Sequence, residues 1–112
     1  MKIKVLIAAM ALSLALPAAA QSVVAESYEL ALSDLLIPQS EGGSLGFRFC
    51  GSCPLKVKRT TANTQWIVNG RSLTLADFRL EVARLTDREN IDATVQHHLK
   101  NDRITKVSVL YP

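Results

Sequence analysis

The chemistry this chain can offer is concentrated in one run, Phe47-Arg48-Phe49-Cys50-Gly51-Ser52-Cys53-Pro54, which holds both of its cysteines. A C-x-x-C pair supports three chemistries. Oxidised, it is a disulfide across a tight turn, and the loop-entropy treatment gives such a four-residue ring roughly 2 kcal/mol. Reduced and activated, it is a thiol–disulfide exchange centre, and cations at Arg48 and Lys56 would favour the thiolate. Redox pairs of the thioredoxin type sit where a strand meets a helix N-terminus. Here Pro54 and the alternating Leu55-Lys56-Val57-Lys58 follow, the pattern of a strand. The disulfide is therefore the reading adopted, with thiol exchange as the alternative.

The third chemistry is a metal half-site, for which His97 and His98 are the remaining candidate ligands beside Cys50 and Cys53. Neighbours on a strand point to opposite faces, so a regular strand lets only one of the two histidines reach a given ion. No metal and no cofactor is expected. Covalent haem is excluded because its motif places His directly after the second cysteine, and Pro54 stands there. None of the serines lies in a G-x-S-x-G elbow. Asp77, Glu81, Asp87, Glu89 and Asp92 have the spacing of a solvated helix face and its exit. The expectation leans away from an enzyme.

The elements that would position the cysteines are two strands, Leu45 to Phe49 and Leu55 to Thr60. Pairing Phe49 with Leu55 and Phe47 with Val57 would put four apolar side chains on one face, with Arg48 and Lys56 together on the other. A polar connector, Thr61 to Thr64, leads to a strand at Gln65 to Val68. Asn69-Gly70 then predicts a type I′ turn into a short strand, Arg71 to Leu73. Thr74 is the predicted N-cap of a helix, with Asp77 three residues on. Leu75, Phe78, Val82 and Leu85 form its apolar stripe. Trp66 is expected in the core.

The last segment, Ile91 to Tyr111, predicts a hairpin around Asn101-Asp102-Arg103. A three-residue loop puts Ala93, Val95 and His97 on one face with Val107, Val109 and Tyr111. A helix over Ile91 to Leu99 is the competing pattern. Residues 28–37 are open between strand, from Tyr28, Leu30 and Leu32, and short helix, from Leu32, Leu35 and Leu36.

Met1-Lys2-Ile3-Lys4, an apolar run from Val5 to Leu16, and Pro17 before Ala18-Ala19-Ala20 form the pattern of a cleavable signal peptide over residues 1–20. The run is too short to span a bilayer, so no transmembrane anchor is expected. Residues 21–44 read as a lead, a short element and a loop, and 45–112 as one small domain. The chain has 13 Lys/Arg and 10 Asp/Glu; without Lys2 and Lys4 the net charge falls from +3 to about +1. That balance gives no support to nucleic-acid binding. Two cysteines in an exported chain fit an oxidising compartment, periplasmic or extracellular.

The order of C-x-x-C, Trp66-Ile67-Val68-Asn69-Gly70, Leu75-Ala76-Asp77-Phe78 and Asp102-Arg103-Ile104-Thr105-Lys106-Val107 loosely resembles a set of small, uncharacterised, exported proteobacterial proteins. The resemblance implies export and a similar layout, and no activity. The expected fold class is α+β: one small domain of antiparallel β-hairpins packed with one amphipathic helix. The expected function is non-catalytic, by binding a protein or small ligand of the cell envelope.

Overall fold

The computed structural model describes residues 24–112; the expected signal peptide lies outside them. Its elements are β1 (Ala25–Ala31), a 3-10 turn (Leu32–Asp34), β2 (Leu35–Leu36), β3 (Ser44–Phe47), β4 (Lys56–Arg59), β5 (Gln65–Val68), β6 (Arg71–Leu73), α1 (Leu75–Ala83), a second 3-10 turn (Arg88–Asn90), β7 (Asp92–His98) and β8 (Arg103–Leu110). The strands form one sheet in the order β1-β7-β8-β4-β3-β2, with β5 also on β8 and β6 on β5. The domain is α+β, strand-dominated, with a single α-helix among the described residues.

Strand β8 is the hub. Strand β7 fills one of its edges from end to end. The other edge is shared in parallel by β4 at its start, through Arg59 and Arg103, and by β5 over Lys106 to Val109. The intervening jog is held by two threonines, Thr60 at the end of the expected strand and Thr64 in the expected polar connector. Thr60 and Thr64 are buried. Thr60 Oγ1 donates to Glu41 O at 2.9 Å, and Thr64 Oγ1 donates to Ile104 O at 2.7 Å while accepting from Thr61 N. A hydroxyl is affordable inside because it has a partner.

The β7–β8 pair is antiparallel as expected, but its register differs from the expected one. Ala93 faces Val109, Val95 faces Val107, and a bulge between Gln96 and His97 then sets His97 opposite Ile104. The extra residue, Thr105, changes the parity of β8. Ile104, Val107 and Val109 thereby all reach the core although the first two are three residues apart. The linking loop has four residues, Leu99 to Asp102, with Asp102 at φ +54°. Residues 28–37 contain both of the patterns they suggest: β1 pairs with β7, and Leu32 turns inward at the 3-10 turn. Strand β1 starts at Ala25, inside the stretch expected to be a loose lead.

The Asn69-Gly70 turn forms, with φ of +49° and +82°. Asn69 N donates to Val109 O and Tyr111 N to the Asn69 side chain, both at 2.9 Å, tying the turn to β8. Thr74 caps α1 by accepting from Asp77 N at 3.1 Å. Leu75, Phe78 and Val82 are buried, and Trp66 packs on Phe78 with ring centroids 5.1 Å apart. Leu85 lies past the end of the helix and is partly buried. Arg88 closes that end by donating to Val82 O at 3.0 Å and Leu85 O at 3.2 Å.

Candidate binding surface beside the disulfide turn

Cys50 and Cys53 are joined by a disulfide, with Cα atoms 5.0 Å apart. Cys53 N donates to Cys50 O at 3.1 Å, so the bridge closes a hydrogen-bonded turn. Extended chain and β4 follow it rather than a helix, as the sequence after Pro54 suggests. Cys50 is exposed and Cys53 half-buried.

The strands that carry this turn pair one residue away from the expected register. Phe47 lies opposite Lys56, and Gly46 opposite Val57. A slip of one residue exchanges the two faces of a strand. The expected apolar face of Phe47, Phe49, Leu55 and Val57 does not form, and Arg48 and Lys56 do not come together. Leu45 and Phe47 point into the core on β3; their β4 neighbours on that face are Lys58 and Lys56.

Each lysine has a partner there. Lys56 Nζ lies 4.7 Å from the Phe49 ring centroid and 5.8 Å from that of Tyr28. Tyr28 stacks on Phe47 at 5.5 Å and meets Phe49 edge-on at 5.0 Å, so the sheet curls until β1 reaches β3 across three intervening strands. The Tyr28 hydroxyl donates to the Glu26 carboxylate. That bond, with burial and the negative charge of Glu26, pushes the Tyr28 pKa up to about 12. Lys58 Nζ donates to Asp102 Oδ1 at 3.0 Å, and buried His97 donates through Nε2 to the same oxygen at 2.7 Å. These contacts, that of Lys58 first, lower the Asp102 pKa from its ordinary value.

The two histidines face apart. His97 is committed to Asp102, while His98 accepts from Asn101 N through Nδ1 at 3.3 Å. Among the described residues, no group of three or more His, Cys, Asp and Glu side chains is placed to share an ion, so Cys50, Cys53, His97 and His98 are not brought together.

The residues displaced outward form a surface that alternation in the sequence conceals. Leu36, Gly46 and Val57 lie side by side across β2, β3 and β4. Leu36 and Val57 are each 56% exposed and Leu55 41%. Gly46 lets this row close up: a Cβ there would stand 3.2 Å from Leu36 and 3.4 Å from Leu55, so those side chains would have to give by a few tenths of an ångström. Leu36 borders two recesses. One, of about 120 Å³, runs to Ser33, Asp34, Arg48 and Leu55 beside the disulfide turn. The other, of about 250 Å³, lies between β2 and α1 and is lined by Leu35, Leu36, Ile37, Arg79, Val82, Ala83 and Arg88. Arg79 and Ala83 continue from it onto the outer face of α1, where Leu80 is 60% exposed. Leu80 departs from the buried stripe, and that is the signal in the sequence that could have found this face.

No protein-family model matches the chain, and neither a curated protein nor a solved structure matches it. Among the described residues, no helix is long and apolar enough to cross a membrane.

Proposed function

We propose that this is an exported, non-catalytic protein of the periplasm or cell exterior that acts by binding. The Cys50–Cys53 disulfide staples the turn bordering its binding surface. The observation that carries the proposal is the apolar row of Leu36, Leu55 and Val57 closed over Gly46 beside that turn. Contiguous exposed apolar side chains are unfavourable in water and commonly mark contact surfaces. The disulfide is compatible with an oxidising compartment, and the basic, apolar, small-residue pattern of residues 1–20 supports export. No nucleic acid and no cofactor enters this function.

The surface is tested by fractionating cells that express the full chain, then measuring 8-anilinonaphthalene-1-sulfonate fluorescence of the exported protein. Export and dye binding that drops on Leu36→Ser support the proposal; a cytoplasmic, uncleaved chain contradicts it. A second reading, thiol exchange at Cys50 and Cys53, is favoured by the exposure of Cys50. It lacks the helix N-terminus that stabilises a thiolate. A reduction potential in the range of exchange proteins rather than below about −300 mV would favour it over the staple.

A further inference from the structure

We infer that the surface binds a protein segment presenting carboxylates beside apolar side chains; this rests on the binding function proposed above. Size argues first. The recess between β2 and α1 holds about 250 Å³ and continues at Arg79 and Ala83 into one of about 410 Å³ over α1, so the strip is an open groove rather than the enclosed cleft of roughly 300–1,000 Å³ that surrounds a small molecule. Such a groove suits a larger partner laid along it with side chains inserted.

Charge argues second. Arg48 lies at one end of the strip, and Arg79 and Arg88 line its central recess. Among the described residues, none of the three forms an ion pair with a carboxylate, whereas Lys58 and Arg71 elsewhere do. Arg88 is held in place by its two bonds to the end of α1, which leaves its Nη1 free for a carboxylate. A guanidinium offers paired donors that match a carboxylate, and it loses little freedom when already fixed. Asp34 is the one acid lining these recesses, and it sits at the Arg48 end.

Order along the strip argues third. Leu80, then Arg79 with Arg88, then Leu36, then Arg48 alternate apolar and cationic groups. A polypeptide with apolar and acidic side chains can follow that order. A bilayer presents a flat plane, and the two central arginines lie in a recess between leucines.

A phage-displayed random dodecapeptide library selected on the disulfide-bonded protein tests this, with recovered peptides synthesised and measured by fluorescence anisotropy. The expected peptides are rich in Asp or Glu next to Leu, Ile or Phe. Their affinity should fall about tenfold with Arg79→Gln, as for a buried interface arginine, and fall again with Leu80→Ser. Both positions are exposed, and matching thermal melts show that the variants fold. Neutral or basic peptides that lose affinity with Leu36→Ser overturn the acidic partner and leave the binding function standing. Peptides insensitive to all three substitutions, or no enrichment, overturn both. Sedimentation with phosphatidylglycerol vesicles, lost in Arg79→Gln and without acidic peptides, overturns the protein partner in favour of a lipid surface.

Discussion

The β5–β8 half of the molecule and the β2–β4 ribbon follow opposite rules for placing side chains. In the first, the inward positions are mostly apolar, His97 being the buried exception and Ile67 and Leu110 facing out, and α1 covers the result through Phe78 and Val82. In the second, Lys56 and Lys58 lie on the face of buried Leu45 and Phe47, at its margin, and Val57 lies on the opposite face, 56% exposed. The difference lies in what each interior offers. Val95, Val107, Val109 and Phe78 supply only apolar contacts, so a charge there would be stranded. The ribbon overhangs the start of β8, where aromatic rings and Asp102 wait at the margin. Lysine stems pack against such a margin while their ammonium groups find the rings and the carboxylate.

The largest expected effect lies in the conventional half. Phe78→Ala, at a position with no exposed surface, should cost about 3–5 kcal/mol, read from urea unfolding with an unchanged slope. Next is the staple. Replacing both cysteines, Cys50→Ser with Cys53→Ser, should lower stability by about 2 kcal/mol, the loop-entropy value for so short a ring. Equal melts of variant and wild type would show that the bridge stabilises nothing.

Lys56→Gln comes third, with an expected loss of about 0.5–1 kcal/mol as its charge leaves the Phe49 and Tyr28 rings. Had the ribbon followed simple alternation, Lys56 would lie on the face away from both rings and the change would be silent. The fourth effect appears as pH dependence. The Asp102 pKa is lowered in the folded state, so its carboxylate stabilises the fold above the unfolded value of about 3.9. That contribution is lost as pH falls from there through the lowered value. Asp102→Asn, which tolerates the positive φ, should flatten stability against pH in that acid window alone. Val57→Ser should be the smallest change, within about 0.5 kcal/mol. A larger loss for Val57→Ser than for Lys56→Gln would reverse the assignment of faces.

Much of the conventional half is legible in the sequence because local signals agree there. Asn69-Gly70 demands positive φ, Thr74 and Asp77 define a helix start, and the Leu75, Phe78 and Val82 stripe fits a single buried face. The bulge at Thr105 escapes such a reading, because the expected three-residue hairpin rests on Val107, Val109 and Tyr111, and Ile104, out of step with a period of two, has no part in it. The ribbon was not legible, because its register depends on partners distant in sequence: Tyr28 for Lys56, and Asp102 for Lys58. The cysteine pair and the strand after it were visible from spacing alone. The binding surface was hidden, since it is assembled from residues of β2, β4 and α1 that only the fold juxtaposes. His97 shows the same limit: its face could be read, and its bond to Asp102 could not.

The outward placement of Val57 and Leu55 is what creates the proposed surface, and cross-strand nuclear Overhauser contacts test it most directly. The structure predicts contacts between the Phe47 ring and the Lys56 side-chain methylenes, and between the backbones of Gly46 and Val57. Contacts between the Phe47 ring and the Val57 methyl groups, without those to Lys56, would contradict it.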